Sequence, residues 1–133
     1  MITEFEISTE ARNTLLDVTD LLRKAVRESG VRRGVLTAFV PHTTAAVTIN
    51  ENADPSVKRD ILLALKKIVP EQGDYLHAEG NSDAHLKASL FGSSEQILIN
   101  ESRLVLGTWQ GVYFAEFDGP RSRRLVVNID GEE

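Results

Sequence analysis

Residues 3–9, "TEFEIST", alternate: Phe5 and Ile7 fall on one face, Glu4 and Glu6 on the other. That is the period of a half-buried strand. "EARN" (10–13) reads as a turn, and "TLLDVT" (14–19) as the returning arm of a hairpin. A rival helical register runs through Leu15, Val18, Leu22 and Ala25. We place the helix start near Thr19, a good N-cap, and its end at Gly30, a good residue for the turn beyond a helix. "GVLTAFVPHTTAAVTIN" (34–50) is rich in β-branched and apolar residues, but Pro41 cannot donate to a sheet ladder. It predicts two strands, 34–40 and 44–50, with a bend at "PHT". Asp54 followed by Pro55 is a strong helix start, with Val57, Ile61, Leu65 and Ile68 as its buried stripe and Pro70 as its stop. Residues 71–81 read as a loop, and Asn81 or Ser82 caps a short helix, "DAHLKASLF", stopped by Gly92. Three strand signals follow. They are 95–100, a strand or strand pair over 103–119 broken at "GTWQG", and 123–129, entered through a "DGPRS" hairpin turn. Strands outnumber helices and most connections are short, which predicts an α+β fold with mainly antiparallel sheet and two to three helices.

Composition narrows the class. The chain has 133 residues, the size of one domain spanning 1–133, and its 41% hydrophobic and 26% charged content is that of a globular protein. It has no cysteine, which excludes disulfides, zinc–thiolate sites and cysteine nucleophiles and makes a cytoplasmic location the simplest expectation. No apolar run approaches a membrane span, and "MITEFEIST" has no signal-peptide pattern, so no membrane association is expected. The net charge is −5, with basic residues interleaved among acids except at "RSRR" (121–124), so nucleic acid is not an expected partner.

Three segments carry the candidate chemistry. In the first, residues 41–60, His42 and Thr43 sit at the strand break. Asn50 and Glu51 lie at the far end of the following strand, and Asp60 lies on the helix. The bland alternative makes Asp54 only a cap and Asp60 a solvated side chain. The second, "LHAEGNSDAHLKASLFG" (76–92), places His77 and His85 eight residues apart among Asn81, Asp83 and Lys87. That spacing matches no standard metal motif, and two ordinary histidines in a loop and a helix are the competing reading. All three histidines, however, lie in segments dense with Asn, Asp, Glu and Gly, and three imidazoles plus an open position make a catalytic-type metal site. The third, residues 107–124, brackets Trp109 and Gln110 with Gly107 and Gly111, where strand glycines mark a bulge or a close approach. It also sets Glu116 in an apolar strand. A buried carboxylate there needs a partner, which Arg121, Arg123 or Arg124 can supply, and the same arginines can instead bind phosphate. Walker, dinucleotide-binding and nucleophile-elbow motifs are all absent.

Taken together and in this order, "HTTAAVTINENADPSVKRD", "HAEGNSDAHLKASLFG" and "LGTWQGVYFAEFDGPRSRR" resemble the secondary thiamine-phosphate synthase, or YjbQ-like, family over nearly the whole chain. The resemblance implies a compact α+β fold with a distorted sheet, a homotrimer, and members credited with weak thiamine-phosphate synthase activity. Its motif residues map onto His42, Thr43, Asn50, Glu51 and Asp60, then onto His77, Asn81, Asp83, His85 and Lys87. The last segment adds Gly107, Trp109, Gln110 and Glu116. One departure is visible: the turn before "RLVLGTWQ" usually carries glycine, and here Ser102 stands there.

Three functions follow as expectations. The first is an enzyme joining hydroxymethylpyrimidine diphosphate to thiazole phosphate. Lys87 and an arginine such as Arg121 would hold phosphate, Glu51 and Asp60 magnesium, and Trp109 a ring, with Thr43, Asn50, Asn81 and Gln110 as further substrate contacts. The second is a metal-dependent hydrolase or lyase with zinc or a similar ion on His42, His77 and His85, and Glu51 or Asp83 as general base; Glu116 is a further catalytic candidate. The third is a non-enzymatic, oligomeric module that binds a small molecule or anion.

Overall fold

The computed structural model describes residues 1–133. In chain order its elements are β1 (Ile2–Ser8), β2 (Thr14–Asp17), α1 (Thr19–Ser29), β3 (Arg33–Phe39), β4 (Ala45–Glu51), α2 (Pro55–Ile68) and α3 (Ser82–Phe91). Then come β5 (Ser94–Asn100), β6 (Arg103–Leu104), β7 (Gln110–Glu116) and β8 (Ser122–Glu132). The strands form two antiparallel sheets, one ordered β1-β8-β3-β5-β6 and the other β2-β7-β4. The α+β expectation holds, with three helices.

Alternation builds the larger sheet. Ile7, Leu36, Ala38, Ile97, Leu125 and Val127 point inward and meet Val47, Val112 and Phe114 of the smaller sheet across the main core. The smaller sheet is covered on both sides. Its other face, through Leu15, Ala46, Tyr113 and Ala115, packs on Leu65 of α2 and on Ala84 and Ala88 of α3. This is why β7 is buried at every position from Gly111 to Glu116 and shows no alternation. Helix α1 closes the main core with Leu22 and Val26.

Helix ends follow local chemistry. The Asp54 carboxylate accepts from the backbone N–H of Ser56 at 2.9 Å with Pro55 in the first turn, and Gly30 ends α1 in the left-handed region (φ 74°). Four expectations are corrected. β2 does not pair back on β1; it pairs with β7, Leu15 opposite Ala115, so the two arms that flank the "EARN" turn belong to different sheets. β7 and β8 likewise do not form a hairpin, because the "DGPRS" turn carries the chain from one sheet to the other. Thr19 is the first helical residue of α1 and not its cap: Asp17 accepts from both its N–H and its hydroxyl. Ile68 is 70% exposed, and Val69 takes the buried place at the end of α2.

Candidate functional site

The candidate residues divide into two groups at opposite ends of β4. Six steps along an extended strand, from Ala45 to Glu51, cover about 20 Å.

The first end holds the histidines. The bend at Pro41 exposes His42 just before β4, and α3 presents His85 beside it. The two rings share a surface groove of about 510 Å³ with Thr43, Ser89 and Ser93. His85 is also the wall of an adjoining cleft of about 470 Å³, which it shares with His77 and Tyr75. The His77 and His85 rings meet edge to face with centroids 5.3 Å apart, and Glu79 lies 3.7 Å from His77 Nε2. His42 stands apart from this pair. Its Nε2 accepts from the backbone N–H of Arg124 at 2.9 Å, which leaves Nδ1 as its free nitrogen. Partial burial, then the positive charges of Arg123 and Arg124, push its pKa down, so the ring is neutral. The chain gathers no three histidine or carboxylate side chains around one point, so the three imidazoles do not form one metal site within it.

Beneath these grooves lies a buried ionic layer. Asp83 is fully buried and accepts from Lys87 Nζ at 3.0 Å and from Arg12 at 3.1 Å. Lys87, 4% exposed, also donates to Asn13. Arg12 reaches on to Asp118 at 3.6 Å and Glu71 at 3.4 Å. Asp118 accepts from Asn81 and from Arg121, both at 2.9 Å. Its N–H donates to Glu116, which ties the layer to a second buried pair. Both oxygens of Glu116 are occupied, by the Arg123 guanidinium, the Thr9 hydroxyl and that N–H. Burial pushes the Glu116 pKa up, but these donors outweigh it and the carboxyl is held below its usual value. Arg123 also donates to Thr44 at 2.8 Å.

The other end is acidic. Asn50 and Glu51 finish β4, and Tyr113 donates its hydroxyl proton to the Glu51 carbonyl at 3.0 Å. Asn52 bonds Asp17 and lies against Gly111 so closely that a Cβ there would come within 2.2 Å of its amide nitrogen, the close approach expected of that glycine. Gln110 folds back to accept from the Gly107 N–H at 2.8 Å, and Trp109 stands 62% exposed at the tip. The Asp17 pKa is down: partial burial raises it, but the Thr19 and Asn52 hydrogen bonds and the Arg23 charge outweigh that. Tyr113 is pushed up by burial and by the charges of Asp17 and Glu51. Asp60 joins neither group; it is a solvated residue 3.7 Å from Arg59.

The sequence reading did not single out Arg12, Asn13, Thr9, Thr44 or Asp118. The one available signal was the Glu116 rule, that a buried carboxylate needs a cation, and of the three arginines considered Arg123 is the partner.

The model of the "UPF0047 protein YjbQ-like" family matches residues 3–132. A UPF0047 protein of Methanocaldococcus jannaschii is 50% identical over 133 residues, covering 100% of this chain and 96% of that protein. YugU of Bacillus subtilis is 42% identical, covering 98% and 100%. A crystal structure of a YjbQ/UPF0047 protein from Clostridium acetobutylicum superposes with a TM-score of 0.95 at 57% identity, covering 96% of this chain and 99% of that one. A YbjQ-like protein of unknown function from Sulfolobus solfataricus gives the same TM-score at 34% identity, covering 99% and 97%. The chain belongs to the YjbQ-like UPF0047 family. No helix in it is long and apolar enough to cross a membrane.

Proposed function

We propose that this protein is a metal-assisted enzyme for a small phosphorylated substrate, with a site completed between subunits of a homo-oligomer, a homotrimer on the family resemblance. The condensation of hydroxymethylpyrimidine diphosphate with thiazole phosphate is its candidate reaction. The observation that carries this reading is the separation of the surface motif residues into a histidine end and a Glu51–Trp109 end about 20 Å apart along β4, neither a complete site alone. Apolar side chains left in the open support association: Leu76, Leu86 and Leu90 near the histidines, Trp109 at the other end, and Phe39 and Leu98 on the outer face of the larger sheet.

His77 and His85 are the imidazoles this reading assigns to a metal ion: their centroids stand 5.3 Å apart, and because they meet edge to face one ring would turn to bring both nitrogens onto one ion. Further ligands would come from a facing chain, and half-buried Glu51 at the end of β4 is the carboxylate this reading assigns there. The metal would stabilise charge developing on a departing diphosphate. Neutral His42 lines the same groove; with Nε2 accepting from Arg124 its proton sits on Nδ1, which is suited to donate a hydrogen bond to a substrate oxygen. Thr43, Ser89 and Ser93 offer hydroxyls to phosphate oxygens, and Trp109 offers a face for a heteroaromatic ring. Asp83, Lys87, Glu116 and Arg123 hold α3 and the strand ends in place, their charges already paired.

The test is formation of thiamine phosphate and pyrophosphate from the two precursors by purified protein, with and without zinc or magnesium. We expect metal-dependent product that His85→Ala abolishes. A protein with no product under any metal refutes the condensation, and one whose product forms equally with a chelator refutes the metal's part.

A further inference from the structure

A different face of the molecule carries a second cavity, between α1 and the β5–β6 hairpin. It measures about 520 Å³, inside the range of small-molecule pockets, and adjoins none of the histidine-lined grooves. Its floor is apolar, built from buried Val26 and half-buried Leu104. Its rim is cationic: Arg23 and Arg27 come from successive turns of α1 and Arg103 from β6, with Glu101 and Ser102 at the hairpin tip. Arg23 pairs with Asp20 at 3.2 Å. Arg27 and Arg103 have no ion-pair or hydrogen-bond partner for their guanidinium groups, although Glu101 lines the same cavity. With Asp20 neutralising Arg23, Arg27 and Arg103 against Glu101 leave the rim one charge positive.

The hairpin tip is a two-residue turn, Asn100 pairing with Arg103, and such turns set both central residues at positive φ. Glu101 (φ 51°) and Ser102 (φ 62°) both lie in the left-handed region, which side chains other than glycine enter at a cost. Ser102 places a hydroxyl at the lip of the arginine cavity. A helix C-terminus explains Arg27, and a charged edge strand explains Arg103. Neither explains why their guanidinium groups share one cavity.

We propose that this cavity binds an organic dianion of the phosphate monoester class. Arg27 and Arg103 would fork onto the phosphate oxygens, Ser102 would add a hydroxyl donor, and Glu101 would accept from a hydroxyl on the organic part, which rests on Val26 and Leu104. The two unpaired guanidinium groups give the phosphate two cations, and arginine's planar fork suits its oxygens.

The experiment is a titration of the full-length protein with inorganic phosphate and, separately, with ribose 5-phosphate, read from the arginine side-chain Nε–H resonances. We expect saturable shifts confined to Arg23, Arg27 and Arg103, and tighter binding of ribose 5-phosphate than of inorganic phosphate. Folded R27A/R103A protein should lose at least about tenfold in affinity, the worth of one charged hydrogen bond. Ser102→Gly should raise Tm by removing the strain while weakening ribose 5-phosphate binding. Unsaturable shifts, shifts spread evenly over all surface arginines, or equal affinity in R27A/R103A would overturn the site. Ser102→Gly with a raised Tm and unchanged affinity would remove the serine from it.

Discussion

Glu116 and Arg123 form a buried ion pair inside an apolar strand environment, and taking away one partner strands the other charge. Glu116→Ala is therefore expected to cost about 3–5 kcal/mol, read as a loss in the denaturant midpoint. The same residue sets an acid limit. Folded Glu116 holds a proton less readily than the unfolded chain, whose ordinary value is 4.5, so its stabilisation is complete above that pH and lost as pH falls through the lower folded value. His42 acts in the same direction at higher pH. Its folded pKa lies below the ordinary 6.5, so its contribution is full above pH 6.5 and declines below it. Two acid steps in stability against pH are expected, the upper removed by His42→Gln. A single step unaffected by that substitution would contradict this. At this scale the sequence was informative wherever a rule was local. Asp54 with Pro55, Gly30 at a helix end and Gly111 at a close approach are each explained by neighbouring atoms. Arg12 was not legible, because it sits in a turn with no local partner. Its acids, Asp83 and Asp118, arrive from the far side of the fold.

Among the elements, the least legible feature was which strand pairs with which. "TLLD" has the same local pattern whether it folds back on β1 or adds to β7, and only the long-range hydrogen bonds to β7 distinguish the two. What fixes the observed choice is visible at Thr19. Its hydroxyl accepts from the buried N–H of Val112 at 2.9 Å and donates to Asp17, so one side chain ties the end of β2, the start of α1 and the middle of β7. Thr19→Val preserves shape and leaves that N–H without a partner. It should destabilise by about 1–3 kcal/mol, measured by chemical denaturation, with hydrogen exchange at Val112 accelerated. Unchanged protection at Val112 would show that the junction depends on packing alone. Strand β7 was also misleading by periodicity, since burial of both its faces erases the alternation that marks a one-sided strand.

For the molecule as a whole, the family motif was readable as three segments, but their arrangement was not. Sequence order puts His42 and Glu51 nine residues apart, near enough to be taken for one site. An extended strand instead carries them to opposite ends of the smaller sheet, and the exposed Trp109 goes with Glu51. On the proposed function these halves meet between chains. Two variants, His85→Ala and Glu51→Ala, each damage one half. If chains share the site, subunits of the two variants that are inactive alone should regain thiamine-phosphate formation when unfolded, mixed in equal amounts and refolded together. Random assembly predicts recovery to roughly a quarter of the wild-type rate, because that share of interfaces pairs two intact halves. If the mixture shows no more product than either variant refolded alone, the halves do not join across an interface and the account fails.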